Sequence, residues 1–222
     1  MPYVVERMKL EDIPEVTEIE RESFSTAWPA STYRRELLEN RLAHYIVVRE
    51  VPTAEIEEEH TEAGPAEPYS PGGFRQLVEI LKEWVTGGRY AEEIRARLRH
   101  IVGYVGFWMM VDEAHITTIA VRRSHRRRGL GELLLIAAID RATSLGASVV
   151  TLEVRVSNLA AQALYEKFGF AKVGIRPRYY GDNNEDAIIM TSPIITSAAF
   201  QTRLQEIKQN NRAKVGEVIW RI

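Results

Sequence analysis

A basic loop with two glycines at the start of an apolar helix is the feature that most constrains how this 222-residue chain folds. The stretch "HRRRGLGELLLIAAI" follows the apolar strand "ITTIAV" and continues into residues with apolar side chains at helical spacing. Unpaired N–H groups at a helix N-terminus attract anions, and glycines let a phosphate approach the backbone. The stretch is therefore predicted either to hold a phosphate-bearing ligand or to form a solvated basic loop that caps a core helix.

Several ligand classes are excluded by the residues around this loop. It lacks the G-x-x-x-x-G-K-[ST] sequence of a P-loop, and a dinucleotide fingerprint would need glycine at Leu134. A dedicated nucleic-acid binder would usually be basic overall, whereas the formal net charge here is -2. We therefore expect a phosphate-bearing ligand of another kind, and no dedicated nucleic-acid binding.

The composition narrows the chemistry and the cellular location. The chain has no cysteine, which excludes disulfides, thiolate metal sites and a cysteine nucleophile. Its five histidines are scattered without the spacing of a metal site, so we expect no metal. No apolar run approaches the roughly 20 residues of a membrane span, and the N-terminus is too charged for a signal peptide. The protein is predicted to be cytoplasmic, with no membrane partner.

Predicted helices and strands alternate without regular βαβ spacing, which indicates an α/β fold with a mixed sheet. The strands "IVGYVGFWMMV" and "EAHITTIAV" are predicted to pair antiparallel through a turn at Asp112-Glu113. Residues 51–100 interrupt this pattern. A Glu- and Pro-rich linker precedes a strongly amphipathic helix over 74–85 and a weaker one over 89–100, so we expect a linker followed by a helical hairpin.

Two motifs together resemble one enzyme family. The loop "R-R-R-G-L-G" (126–131) fits the acyl-CoA loop R/Q-x-x-G-x-G/A, and "LEVRVSNLAAQALYEKFGF" (152–170) follows it. The pair resembles the GNAT superfamily of N-acetyltransferases. With "IRPRYYGDNNEDAIIM", it is more closely similar to the ribosomal-protein-alanine N-acetyltransferase family, over about residues 101–193. A looser likeness covers 1–50.

The resemblance implies a GNAT fold, in which a mixed, mostly antiparallel sheet of seven strands is splayed at its middle and flanked by helices. We therefore predict one domain over residues 1–195 and a C-terminal extension over 196–222. The insertion over 51–100 is atypical of the family. Acetyl-CoA would lie in the splay as cosubstrate. Residues 196–222 have no counterpart in the family and are predicted to form a helix and a short apolar tail.

The resemblance also assigns residues to the cofactor. The pyrophosphate would be held by arginine side chains and by backbone amides between Arg127 and Glu132, the preceding strand would pair with the pantetheine amides, and Asn158 would contact the cofactor. The full predicted set is Ile119, Ala120, Val121, Arg126, Arg127, Arg128, Gly129, Leu130, Gly131, Glu132 and Asn158.

Two residues are candidates for the chemistry. Glu153 alternates with Leu152 and Val154 in a strand, and taken alone it is typical of an outward-facing residue. Tyr165 taken alone is typical of an aromatic that packs in the core. The resemblance implies instead that Glu153 is the general base and Tyr165 the general acid. His115 and His125 compete as acid or base by residue type, and His115 is interpreted as a surface or sheet residue.

The acceptor is the least constrained part of the prediction. The resemblance implies a protein N-terminus, that of the small-subunit ribosomal protein that begins with alanine. Substrate-side aromatics would be Phe24 and Trp28 in "ESFSTAWPAS", with Tyr179 and Tyr180. One alternative is a related acetyltransferase for lysines or small amines. The other is a non-catalytic RNA- or ribosome-binding module that uses the basic loop. The predicted hairpin is expected to dock near the substrate side, where it could narrow the peptide cleft or build a homodimer.

Overall fold

The computed structural model describes residues 2–51 and 100–222. The predicted linker and both predicted helices of the insertion lie outside the described residues, apart from the flanking Val51 and His100. The strands are β1 (Tyr3–Arg7), β2 (Ala43–Glu50), β3 (His100–Met110), β4 (Glu113–Val121), β5 (Val149–Arg155), β6 (Ala171–Tyr180), β7 (Glu185–Thr191) and β8 (Val218–Arg221). The helices are α1 (Ile13–Ser23), α2 (Ala30–Glu39), α3 (Leu130–Ser144), α4 (Leu159–Lys167) and α5 (Ala198–Val215).

The described strands form one sheet in the order β6-β7-β5-β4-β3-β2-β1-β8. Neighbouring strands are antiparallel except β4 with β5 and β1 with β8. The mixed, mostly antiparallel sheet flanked by helices is therefore confirmed. The expected number of seven strands is wrong, because the apolar tail pairs in parallel with β1, from Tyr3 opposite Val218 to Glu6 opposite Arg221. A four-residue strand has too little pattern to be predicted from its own sequence.

A bulge in β4 lets this strand serve two apolar layers. Phe107 of β3 faces Ile116, but the preceding Gly106 faces Thr118, so Thr117 is the extra residue. Ile116 consequently lies in the core layer around α3, whereas Ala120 lies in the layer around α1 and α2. The bulge thus turns the second half of β4 over, beside the point where the sheet divides.

Helix α3 is buried on nearly its whole circumference. The predicted apolar stripe includes Leu133 and Leu134, but Leu135, Ile136 and Ile139 outside that stripe are buried as well. A helix that is apolar all round needs a second cover besides the sheet. Helix α5 supplies that cover through core side chains from Phe200, Leu204, Ile207 and Val215. Residues 196–222 therefore pack into the same core as the sheet.

The insertion leaves and re-enters the sheet beside α1 and the glycine loop. The strand ends that flank it are paired, Glu50 with His100. The carboxylate of Glu50 lies 3.1 Å from Nε2 of the buried His125, three residues before Arg128. The carboxylate of Glu15 in α1 accepts from the Ile101 N–H at 3.0 Å.

None of the helices in the described segments is long and apolar enough to cross a membrane.

Candidate active site

The sheet divides between β4 and β5. Their parallel pairing runs from Glu113 opposite Val149 to Ile116 opposite Leu152 and stops there. From that point β4 stays with β3, and β5 stays with β7. The second half of β4, which includes the predicted residues Ile119, Ala120 and Val121, therefore has no strand on its β5 side among the described residues. Its free edge offers N–H and C=O groups to an extended ligand.

The glycine loop leads from β4 into α3. Arg127 and Gly129 both have positive φ, 66° and 90°, which turns the chain sharply before the helix begins at Leu130. Gly129 is the N-cap, and no side chain caps this helix. The first amides of α3 are therefore available to an anion, in the helix terminus where the macrodipole also favours one.

Gly131 faces the divided part of the sheet. A Cβ placed on it would lie 3.6 Å from Leu164 of α4 and 4.0 Å from Val121 of β4, which is ordinary contact. A longer side chain would extend into the space between these two elements. The backbone edge of β4 fits the amides of a pantetheine arm, and the uncapped helix start with the open space at Gly131 fits a pyrophosphate, so the residues present suit acetyl-CoA.

The arginines of the basic stretch divide into two groups. Arg122 lies 3.3 Å from the carboxylate of Glu22 in α1, and Arg123 donates its backbone N–H to the same carboxylate at 3.0 Å. Arg126 donates to the Val121 carbonyl at 3.1 Å and so closes the end of β4. The remaining two, Arg127 and Arg128, are exposed and form no side-chain hydrogen bond or ion pair within the described segments. Of the arginines needed for an RNA-binding surface, Arg122 is therefore paired with carboxylates of α1, and Arg123 is bound to Glu22 of the same helix.

Glu132 is a buried carboxylate in the first turn of α3. Its side chain is 9% exposed, and Oε2 accepts from the Lys167 ammonium of α4 at 2.6 Å. Lys214 of α5 lies 3.9 Å from the same oxygen. The other oxygen, Oε1, is buried and has no hydrogen-bond partner among the described residues. Two lysines thus offset a negative charge that lies where an anionic ligand is expected.

Glu153 lies on β5, immediately beyond the last pair that joins β5 to β4. Its side chain is only 6% exposed, so it is not the outward-facing residue that alternation alone indicates. One oxygen is 3.0 Å from Nε2 of His115 on β4, and the other is 2.8 Å from Nε of Arg176 on β6. The hydrogen bond from His115, with help from Arg176, lowers the pKa of Glu153 despite its burial. The carboxylate is therefore ionised at neutral pH.

His115 is a residue whose role the sequence left in doubt. It belongs to the sheet, as expected from the sequence. The pairing of β4 with β5 also places its ring next to the carboxylate of Glu153. His125, the other candidate, hydrogen-bonds Ser124 and Glu50 at the base of the insertion, away from Glu153.

Tyr165 is buried on α4, with its ring 5.9 Å from that of Phe170. Burial raises the pKa of its phenol, and nearby Tyr180 contributes to the same shift. Burial likewise raises the pKa of Tyr180 to about 12, although the nearby Arg155 acts in the opposite direction. Within residues 2–51 and 100–222 the Tyr165 hydroxyl has no hydrogen-bond partner, which leaves it available to a substrate.

The predicted substrate-side aromatics lie on two segments that the structure joins. Phe24 and Trp28 are in the α1–α2 loop, and Tyr179 and Tyr180 are at the end of β6. The hydroxyl of Ser25 in that loop donates to Asp182 in the β6–β7 turn. We call Ser25, Asp182 and Arg155 the clasp.

Arg155 is the centre of the clasp. Its guanidinium donates to Asp182 at 2.9 Å and to Glu185 at 3.0 Å, and it stacks 3.8 Å from the centre of the Tyr180 ring. Hydrogen bonds from Ser25 and Arg155 lower the pKa of Asp182, while those from Ser157 lower the pKa of Glu185 to about 2. Because these hydrogen bonds stabilise the charged forms of Asp182 and Glu185, both carboxylates are ionised at neutral pH.

Removing the clasp arginine should weaken acceptor binding. We expect Arg155→Ala to raise the KM for a peptide acceptor roughly tenfold, since several partly exposed contacts of modest strength are lost together. The Kd for acetyl-CoA should stay within about twofold. Steady-state kinetics and calorimetry measure the two effects, with Arg178→Ala on β6 as the control. An unchanged peptide KM would contradict a role for the clasp in acceptor binding.

Glu20 is a site-forming residue that sequence reasoning did not identify as functional. It is buried on α1, accepts from the Trp28 N–H at 3.2 Å and accepts from the Tyr104 hydroxyl. Burial raises its pKa. Its only sequence signal is that it continues the apolar spacing of α1. Glu20 fixes the α1–α2 loop to the sheet.

Asn158 caps α4 by accepting from the Ala161 N–H at 3.2 Å. Because the side-chain oxygen is used in this cap, a contact of Asn158 with the cofactor would use its side-chain Nδ2 group. Within the described part of the chain, no group of three or more His, Asp or Glu side chains is placed to hold a metal ion.

A divided mixed sheet, a glycine loop at a helix start and a buried carboxylate at the division together define a class of acyl-group transferases. The family model "Acetyltransferase (GNAT) family" matches residues 53–170. The chain belongs to the GNAT family of acetyltransferases, and it is an enzyme of that family. The family and the enzyme class predicted from the sequence are confirmed, and the alternative of a non-catalytic RNA-binding module is set aside.

Within this family, the chain is similar to several alanine N-acetyltransferases. A Bacillus subtilis protein with the provisional name [ribosomal protein bS18]-alanine N-acetyltransferase is 37% identical over 186 residues, 84% of this chain and 92% of that protein. The [ribosomal protein bS18]-alanine N-acetyltransferase of Escherichia coli K12 is 48% identical over 88 residues, 39% of this chain and 60% of that protein. The crystal structure of the Escherichia coli enzyme has a TM-score of 0.60 at 25% identity, covering 88% of this chain and 96% of that one.

Proposed function

We propose that this protein transfers the acetyl group of acetyl-CoA to the N-terminal amine of a protein, and that its acceptor is the N-terminal alanine of ribosomal protein bS18. The names of the similar proteins support the acceptor. The observation that carries the reaction is the buried, ionised carboxylate of Glu153 at the point where β4 and β5 part.

The cofactor would be held by the open half of β4 and by the first amides of α3. Arg127 and Arg128 would add positive charge to the pyrophosphate, as would Arg126 if it leaves Val121. Acetyl-CoA supplies an acetyl group activated as a thioester. The residues assigned to the cofactor from the sequence lie on the second half of β4, on the loop that follows it, at the start of α3 and at the start of α4, which supports a common role.

The two predicted catalytic residues suit opposite proton transfers. Glu153 accepts a proton from the attacking amine, and the contacts of its two oxygens with His115 and Arg176 hold the carboxylate in place. Tyr165 donates its phenolic proton to the leaving sulfur, since its raised pKa keeps it protonated. The new bond joins the amine nitrogen to the acetyl carbon while the carbon–sulfur bond breaks. After the transfer Glu153 has gained one proton and Tyr165 has lost one.

The low pKa of Glu153 makes it a weak base, and this favours an α-amine over lysine. At pH 7 an amine of pKa near 7.7–8.0 is neutral on the order of 300 times more often than one near 10.4. A weak base suffices for an amine that is already partly deprotonated. The charge state of the site therefore agrees with N-terminal acetylation and speaks against lysine as acceptor.

Mass spectrometry of acceptor peptides tests this proposal. The peptide set begins with Ala, Met or Ser, and its matched control is the Ala peptide with a blocked N-terminus and an internal lysine. We expect one acetyl group on the free N-terminus of the Ala peptide, more slowly on the others, and none on the blocked control. Faster modification of the lysine, or of a polyamine such as spermidine, would overturn the assigned acceptor class.

A further inference from the structure

Helix α5, the C-terminal helix, touches the glycine loop through one buried amide. Asn211 is 2% exposed, and its side-chain Nδ2 donates to the Gly129 carbonyl at 2.9 Å. The same carbonyl accepts the Leu133 N–H at 3.0 Å, which is the first helical bond of α3. Two donors therefore hold the last peptide group before the helix, and one of them comes from 82 residues further along the chain.

The orientation of this peptide group decides where the first amide of α3 points. A trans peptide is planar, so its C=O and the N–H of the next residue point in opposite directions. When Asn211 holds the Gly129 carbonyl on the α5 side, the Leu130 N–H points to the other side. Because Gly129 has φ of 90° and glycine is permissive, its backbone would otherwise turn easily.

Packing behind Gly129 comes from the same helix. A Cβ on Gly129 would lie 3.0 Å from Val215 and 3.2 Å from the Asn211 amide. These distances are tighter than ordinary contact, so α5 closes directly on the glycine. The two glycines of the motif thus serve different partners. Gly129 admits α5 on one side of the loop, and Gly131 leaves space between β4 and α4 on the other.

Helix α5 also carries charge toward the loop. Lys214 is one turn beyond Asn211 and lies 3.9 Å from Glu132 in the first turn of α3. A carboxylate there would repel an anionic ligand, and the two lysines around it reduce that repulsion.

We propose that α5 is part of the cofactor site and that Asn211 is a positioning residue, which orients the Leu130 amide toward the pyrophosphate without touching the cofactor. This inference rests on the proposed function, because it assumes that the glycine loop binds acetyl-CoA. It adds a requirement outside the divided sheet: acetyl-CoA affinity depends on a side chain near the C-terminus.

The test replaces the donor with an acceptor of the same shape. In Asn211→Asp a carboxylate would face the Gly129 carbonyl, and the repulsion should rotate the peptide group. We expect the Kd and the KM for acetyl-CoA to rise at least tenfold, while kcat at saturating acetyl-CoA changes less than about twofold. Asn211→Ala removes the donor without adding charge and should give an intermediate Kd, which serves if the Asp variant folds poorly.

The matched control is Lys208→Gln, one turn earlier on α5. It breaks the 2.8 Å ion pair between Lys208 and Asp140 of α3 but does not reach the loop. Its Kd for acetyl-CoA should equal that of the wild type. If Lys208→Gln weakens binding as much as Asn211→Asp, or if neither Asn211 variant weakens it, the positioning role is wrong. If the wild type itself fails to bind acetyl-CoA in calorimetry, the proposed cofactor is wrong instead.

Discussion

Gly131→Glu is expected to abolish measurable acetyl-CoA binding while the protein stays folded. The new side chain would start 3.6 Å from Leu164 and 4.0 Å from Val121, and it would place a negative charge beside the proposed pyrophosphate site. Two like charges about 4 Å apart near a protein surface repel by about 4 kcal/mol, which predicts a loss of affinity of at least 100-fold. Isothermal calorimetry with acetyl-CoA measures the loss.

Two controls separate charge from bulk at the same position. Gly131→Ala meets only ordinary contacts and should fold at least as well as the wild type, because alanine is the better helix former. Gly131→Gln has the length of the Glu variant without its charge. We expect an affinity order of Ala above Gln above Glu. Equal affinity in all three would mean that the ligand lies elsewhere.

Gly129 is unsuited to this test. Its positive φ and its contact with α5 mean that any side chain would strain the fold. Loss of binding in a Gly129 variant would therefore not distinguish a blocked site from a disturbed loop.

Glu153→Gln is expected to lower kcat/KM by 10²- to 10⁴-fold, the usual range for a positioned acid or base. The loss should be greatest at low pH. Below the α-amine pKa near 7.7–8.0 most of the acceptor is protonated and needs a base, whereas above it the amine is already neutral. The pKa of Glu153 is lowered, so its own titration lies below this window and the carboxylate stays charged throughout it. The pH profile of the variant should therefore rise steeply between about pH 6 and 9.

The control for this change is Glu166→Gln. Glu166 is a half-exposed carboxylate on α4 whose partner is Lys172 at 3.4 Å, so its loss should leave the rate near that of the wild type. Tyr165→Phe provides the complementary result, with a lower kcat and an unchanged Kd for acetyl-CoA. If Glu153→Gln and Tyr165→Phe both keep rates within about twofold of the wild type on a verified acceptor, the catalytic roles are wrong.

Local patterns in the sequence were sufficient to predict most elements of the fold. Alternating apolar residues define β4, and the loop and stripe from Arg126 onward define the start of α3, because these signals depend on neighbours a few residues away. The motif around Glu153 and the glycine loop predicted the family. Alternation alone indicated an outward-facing Glu153, whereas its side chain is only 6% exposed, because alternation describes which face a residue is on and not what covers that face.

The partners of the site residues could be learned only from the tertiary structure. His115 reaches Glu153 because β4 and β5 pair in one register and then part. Ser25 meets Asp182 across 157 residues of sequence. Neither pairing leaves a local pattern, because a contact between distant segments depends on how several elements pack at once.

By itself the sequence determined the order of the helices and strands as far as α5, the glycine loop at a helix start and the family with its likeness to the alanine N-acetyltransferases. The eighth strand, the clasp and the contact of Asn211 with Gly129 were decided only by the tertiary structure. The physical reason is the same in each case. A short strand, a partly buried arginine or a polar residue in a C-terminal helix has no preferred partner in its own neighbourhood, and it acquires one when folding brings a distant polar group within hydrogen-bonding distance.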